Sequence, residues 1–309
     1  MRSSTARKTL SAAKTSPSLE KFSPYLFILP AVIFLLAIMG YPIVFSIYMS
    51  FQKFTLENLV SKQTQFIGLV NYQGVLNNPE FMVALQHSLI FTFASIFFQF
   101  AIGLGLAILL SKSFPLSNVM RGLLLSGWQI PSVVTGTIFL WLFNLDYGLV
   151  NFILTSLNLI KDPIGWVTQA NTALGTVILV NIWLGIPFNT ILLTAGIAGL
   201  PDDVFEAAMV DGANAWQKLI YITIPMLRST ILAVIMLGFI YTLRVFDVIW
   251  IMTKGGPADA TEVLPTFAYR LSFISFNFGQ SAAVSVIMLV ILLVAAIIYL
   301  KYAIQEESL

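Results

Sequence analysis

The chain contains no cysteine. Disulfide frameworks, iron–sulfur clusters and thiolate zinc sites are therefore excluded. It has one histidine, His87, which removes multi-histidine metal sites as well. Charge is scarce: Asp, Glu, Lys and Arg make up 10% of the 309 residues, against roughly 25% in an ordinary soluble domain. Hydrophobic residues make up 58%, and a soluble protein of this composition could not clothe its surface in polar groups. The chain is expected to be an integral membrane protein. A net charge of +2 is too small to argue for nucleic acid. The sequence also lacks any Gly-x-x-x-x-Gly-Lys-Ser/Thr phosphate loop, so it cannot itself cradle ATP in the usual way. Neither a catalytic residue nor a metal ligand set is expected in it.

What is present is length of apolar run. A helix crossing a hydrocarbon core needs about 20 apolar residues, because only internal hydrogen bonds satisfy its backbone there. Six stretches qualify: 25–50, 88–110, 122–144, 174–200, 224–252 and 281–300. The fold expected is all-α, with six transmembrane helices in a membrane domain over 25–305. Six spans put both termini on one side. With that side cytoplasmic, the inner segments hold Arg2, Arg7, Lys8, Lys14, Lys21, Lys112, Arg121, Lys218, Arg228 and Lys301. The outer segments hold only Lys53, Lys62, Lys161, Lys254 and Arg270. This excess follows the positive-inside rule and predicts cytoplasmic termini. Residues 1–24 are polar and read as a disordered cytoplasmic tail. The apolar run after them is too long for a cleaved signal peptide, so the first span is expected to remain in the mature protein.

Between the fourth and fifth stretches, Pro201 to Pro225 is long enough to fold. Asp203 is placed as an N-cap with Glu206 three residues on, a capping-box spacing. Val204, Phe205, Ala207, Ala208 and Met209 favour a short helix. Asp211-Gly212 supplies a turn in which glycine is free to take positive φ. A second helix from Ala215 leads to Pro225, which suits the start of the next helix. The segment is expected to be a helix–turn–helix outside the bilayer.

Glu206-Ala207-Ala208, then Gly212, then Ile222 and Ile224-Pro225, resembles the EAA loop of permease subunits in binding-protein-dependent ABC importers. Ile224 stands where that pattern usually has leucine. Phe66-Ile-Gly-Leu-Val-Asn-Tyr72, Phe246-Asp247, Met252-Thr253-Lys254-Gly255-Gly256-Pro257 and Phe278-Gly-Gln-Ser-Ala-Ala283 are similar to segments of the carbohydrate-uptake branch, the maltose- and glycerol-phosphate-like permeases. The likeness runs from about Tyr25 to the end. It lacks the extra amino-terminal spans and large outer domain of some maltose-type subunits.

The resemblance implies a second homologous permease, two ATP-binding subunits that hold ATP and magnesium, and an extracytoplasmic solute-binding protein that delivers a sugar. It implies location in a bacterial or archaeal cytoplasmic membrane. ATPase closure would swing the permeases between inward- and outward-open states, with 201–225 as the lever and Glu206, Ala207, Ala208 and Gly212 as the coupling residues. Glu206 either contacts the ATPase or caps its own helix. Two other readings stay open. One is a non-sugar solute such as glycerol phosphate. The other is an ion-coupled carrier, although only Arg244 and Asp247 bring charge into a span; three residues apart on one helix face, they would neutralise each other. No filter-like ring motif points to a channel.

Sugar sites need a few polar groups and flat aromatic faces in an apolar wall. Trp128 and Ser132 on the third span fit this, as do Asn181, Gly185 and Phe188 on one face of the fourth, and Tyr241 and Thr242 on the fifth. With Leu184 and Val245, these match the sugar-contact positions of maltose-type permeases when aligned on the flanking motifs. Pro131 and Pro187 would free carbonyls toward a cavity. The same residue types also serve helix packing in membranes.

Overall fold

The computed structural model describes residues 17–61, 64–112 and 114–307. The chain divides into two units, Met1–Tyr48 and Met49–Leu309. Residues 1–16 of the expected tail lie outside the described residues. From Pro17 the backbone is already helical, contrary to the disorder expected up to residue 24, because the fixed φ of proline suits a first helical turn. Helix α1 (Pro17–Leu35) passes through a π-turn at Leu36–Gly40 into α2 (Tyr41–Ser50).

Strand β1 (Gln52–Lys53), α3 (Leu56–Ser61), β2 (Gln65–Phe66) and α4 (Val70–Leu76) follow, with Gln52 opposite Phe66 in a short antiparallel ladder. Helix α5 (Pro79–Ser111) begins at Pro79 rather than Ser88. Its first turns carry Glu80, Gln86 and His87 among apolar residues, and Asn78 caps them by accepting from the Glu80 N–H at 2.9 Å. The third range is not one helix. Helices α6 (Ser117–Trp128) and α7 (Ser132–Leu142) meet at 97° across Gln129–Pro131, where Pro131 supplies no N–H and restricts the residue before it.

After α8 (Leu149–Ser156), α9 (Ala170–Ala198) fills most of the fourth range. The loop helices α10 (Asp202–Val210) and α11 (Ala215–Lys218) come next, then a π-turn at Leu219–Thr223 and α12 (Ile224–Met226). The fifth range also breaks. Helix α13 (Arg228–Leu243) lies at 72° to the preceding segment and stops at Arg244, and α14 (Asp247–Met252) restarts after it. Helices α15 (Leu264–Phe273) and α16 (Phe278–Glu307) end the chain. Tyr25–Ser50, Pro79–Ser111, Ala170–Ala198 and Phe278–Ala303 are long and apolar enough to cross a membrane, and the two bent pairs make six if each is one span.

Helices α5 and α9 pack side by side, with α13 against both. What they bury includes polar and small residues as well as large apolar ones. On α5 the buried residues include Ser88, Thr92, Ser95, Gln99 and Gly103, of which Gln99 and Gly103 meet α9, while Phe93 and Phe97 point outward: Gln99 is 4% exposed and Phe97 65%. This is the inversion a lipid solvent produces, since large apolar groups gain nothing by leaving hydrocarbon and small residues let helices approach. Large side chains are buried in clusters around this pair, such as Phe91, Val177, Val180 and Ile249, and Leu104, Leu193 and Leu227.

Two of the recognised segments interlock at the start of α16. The Asn71 amide donates to the carbonyls of Ser50 (2.9 Å) and Gln52 (2.8 Å), and a Cβ on Gly279 would lie 2.6 Å from the Gln52 carbonyl oxygen. Likewise the Thr253–Pro257 turn folds over a buried carboxylate, Glu262. Gly255 takes φ +89°, and a Cβ there would sit 2.5 Å from Glu262 Oε2. Arg270 lies 3.7 Å from that oxygen and is shared with Glu80 and Asp259.

Glu262 lies on the loop between α14 and α15, outside the candidate spans. Burial pushes its carboxyl above the usual glutamate range, against the lowering influence of Thr266 and Arg270. Its Oε1 has no hydrogen-bond partner. A raised value in the fold means that folding favours the protonated acid. The stabilisation is complete below the unfolded pKa of about 4.3 and is lost as pH rises through the raised one. Glu262→Gln, neutral throughout, is expected to melt higher than the parent near pH 8 and level with it near pH 4. Thermal denaturation across that range checks this; a deficit constant with pH would count against it.

Candidate functional site

Helix α9 carries Asn181, Leu184, Gly185 and Phe188 toward one side, and three further elements close on it. Trp128 ends α6, Ser132 opens α7, and Tyr241, Thr242 and Val245 sit at the end of α13. All nine line a single cavity of about 470 Å3. The bends that broke the sequence ranges border the same cavity, which Ile130 and Val245 also line. The rings form a chain, Trp128 to Phe188 at 5.9 Å and Phe188 to Tyr241 at 5.7 Å. Trp128 and Tyr241 remain about half exposed, leaving aromatic surface open.

Four lining residues have no place among those chosen from the sequence: Gln99, Ile130, Asn189 and Gly238. Gln99 matters most. Its Nε2 donates to the Asn181 carbonyl at 2.8 Å, across from α5 to α9. A Cβ on Gly185 would lie 2.2 Å from the Gln99 side-chain carbon, so glycine there is what lets the amide lie against the backbone. The arrangement is reciprocal four residues on, where a Cβ on Gly103 of α5 would lie 2.8 Å from Asn189 Cβ of α9. Asn189 Nδ2 in turn donates to the Gly185 carbonyl at 2.8 Å. The available signal was an amide in the middle of an apolar run.

Pro187 does not interrupt α9. It removes the N–H that would meet the Trp183 carbonyl, and on either side the carbonyls of Asn181 and Gly185 receive amide donors from Gln99 and Asn189. Asn181 itself is buried, and its Nδ2 has no hydrogen-bond partner. An unpaired donor on a cavity wall costs about 1–3 kcal/mol unless something bonds it. No charged side chain lines this cavity among the described residues.

The expected Arg244–Asp247 pair is not formed. The helix breaks between them, so three-residue spacing no longer puts them on one face. Asp247 instead accepts from the Ser132 hydroxyl at 3.0 Å, tying α14 to α7.

The loop after α9 differs from expectation in its caps. Helix α10 starts at Asp202 behind Pro201, whose extended backbone (φ −70°, ψ 130°) sets the helix start one residue early. Asp203 therefore lies within the first turn, where its charge favours the helix dipole, and makes no cap hydrogen bond. The capping box is at the next helix instead: Asn214 accepts from the Gln217 N–H at 2.9 Å and its own N–H donates to Gln217 Oε1 at 2.8 Å. Gly212 takes φ +75°. Around it the Ala213 N–H reaches the Ala208 carbonyl (2.9 Å) and the Gly212 N–H the Met209 carbonyl (3.1 Å), the bond pair of a left-handed helix stop. Glu206 and Ala207 face outward and Ala208 inward. The loop surface is unusually apolar, with Val210 89% and Tyr221 75% exposed. Asp211, Gly212, Tyr221 and Ile222 border a depression of about 300 Å3.

Apolar helices surround an uncharged cavity, and a folded loop lies between two of them. The chain belongs to the family of binding-protein-dependent transport system inner membrane components, whose pattern matches residues 99–304. It is 32% identical over 285 residues to a probable ABC transporter permease protein of Brucella suis biovar 1, covering 92% of this chain and 98% of that one. It is 30% identical over 277 residues to the trehalose/maltose transport system permease protein MalF of Thermococcus litoralis, covering 90% and 92%. The diacetylchitobiose uptake system permease protein DasB of Streptomyces coelicolor is 30% identical over 308 residues, covering 96% and 91%. The fold is similar to a chain of a bacterial ABC transporter involved in import of the acidic polysaccharide alginate, with TM-score 0.77 and 23% identity over 92% of this chain and 97% of that one. The resemblance carried by the loop motif thus leads to the right family.

Proposed function

We propose that this chain forms half of the translocation pathway of an ATP-driven importer for a neutral sugar, working by alternating access. The Asn181 amide carries the reading: a buried donor without a partner, on the wall of an uncharged cavity with exposed aromatic faces, is suited to a sugar hydroxyl. Relatives named for trehalose/maltose and for diacetylchitobiose support a saccharide. The uncharged wall disfavours glycerol phosphate, since a buried phosphate without a cation would lose its hydration uncompensated. It disfavours an ion-coupled carrier too, which would need a carboxylate or histidine relay.

On this reading the chain crosses a bacterial or archaeal cytoplasmic membrane six times, with both termini inside. It assembles with a second permease, two ATPase subunits that bind ATP and magnesium, and a solute-binding protein outside. Glu206, Ala207 and Gly212 form the coupling surface with Ala208 packed beneath it, and the exposed Val210 and Tyr221 supply apolar area for the ATPase to cover.

Asn181→Ala tests the cavity. In vesicles holding the assembled transporter, it is expected to weaken apparent sugar affinity about 5- to 100-fold, the equivalent of one lost buried hydrogen bond, with assembly intact. Unchanged affinity and rate across the concentration range would return Asn181 to helix packing. Uptake that persists without ATP but collapses with the ion gradient would favour the ion-coupled class.

A further inference from the structure

A second cavity, of about 880 Å3, lies beneath the coupling loop and away from the sugar cavity. Its walls include the last turns of α5 and α9, two helices long and apolar enough to span a membrane. The cavity therefore sits where hydrocarbon gives way to headgroups. Lys112, Arg121 and Lys218 converge on it against one carboxylate, Asp202. Among the described residues none of the three cations forms an ion pair.

Arg121 uses its two terminal nitrogens on the Leu110 carbonyl and Asn118 Oδ1, and its buried Nε has no partner. The rest of the wall is mostly apolar, with the hydroxyls of Ser111, Thr194 and Thr223 set into it, and Trp216 stands at it 67% exposed, an amphipathic ring suited to the membrane interface.

We propose that this cavity binds the phosphodiester headgroup of an anionic phospholipid, of the phosphatidylglycerol class, and so fastens the coupling loop to the ends of α5 and α9. Basic pockets between membrane helices take such headgroups, and the apolar wall provides for the start of the acyl chains. A free phosphate would leave that wall unfilled. The chain's own amino-terminal segment, with Arg2, Arg7, Lys8 and Lys14, carries the wrong charge. The depression at Gly212 and Tyr221 is a separate one, which leaves it open to the ATPase.

The test is lipid retention by the purified transporter in nanodiscs of phosphatidylcholine with added phosphatidylglycerol, read by native mass spectrometry, and so independent of any sugar. The parent is expected to retain phosphatidylglycerol selectively. Lys112→Gln and Lys218→Gln should each lower retention roughly five-fold, and together roughly 25-fold. Arg121→Gln should lower it further but also strips the Leu110 carbonyl of its donor, so the lysine variants decide. Millimolar inorganic phosphate should not displace the lipid. Equal retention of both lipids, parental retention by the double lysine variant, or displacement by phosphate would each overturn the proposal.

Discussion

Gly212→Val is expected to leave membrane insertion intact and to abolish coupled transport. At φ +75° a β-branched residue is strained by about 1–3 kcal/mol. No atom lies within 4 Å of the Cβ that would be added, so the strain is in the backbone rather than in a clash. It can be relieved only by unwinding the stop after α10, which would break the bonds from Ala213 to Ala208 and from Gly212 to Met209. The depression that Gly212 borders would change shape with it. Glu206→Ala should act in the same direction and less severely, since Glu206 is exposed and the helix loses no cap bond with it. ATP hydrolysis and sugar entry followed together in vesicles check both. Parental coupling in Gly212→Val would mean that this loop is not the lever.

Gly185→Ala should also weaken uptake, for a different reason. Its Cβ would fall 2.2–2.5 Å from three atoms of the Gln99 amide. The glutamine must then leave, giving up its bond to the Asn181 carbonyl and burying an amide without partners, at about 1–3 kcal/mol per group. The double variant Gly185→Ala/Gln99→Ala removes both the clash and the stranded amide. It should recover thermal stability to within about 1 kcal/mol of the parent, but with weaker sugar affinity. If Gly185→Ala alone melts and transports like the parent, the close fit of Gln99 is not a constraint.

Much of the site was legible because membrane helices advertise their exceptions. Nine positions chosen for polarity, aromatic character and motif alignment reach one cavity, although their roles toward a sugar remain the proposal above. What the sequence could not convey was shape. Pro131 was visible, but not that α6 and α7 would meet at 97°. The charges of Arg244 and Asp247 were visible, but not that the helix breaks between them, which dissolves the supposed pair. Capping was misassigned where two equal spacings competed: Asp203–Glu206 was read and Asn214–Gln217 is used, because Pro201 starts the first helix before Asp203 can cap it. Gln99 escaped because it does its work across to another helix, and period-based reading sees one helix at a time.

The paired amide-and-glycine contacts between α5 and α9 constrain how such a molecule can move. One contact would act as a pin, about which two rods can still pivot. Two contacts, Gln99 on Gly185 and Asn189 on Gly103, a full turn apart along both rods, act as a dowelled joint that resists both pivoting and sliding. The two helices then travel as a single strut. Bending is left to the breaks in the chain, among them the corner at Gln129–Pro131 and the interruption at Arg244–Phe246, both of which border the cavity wall.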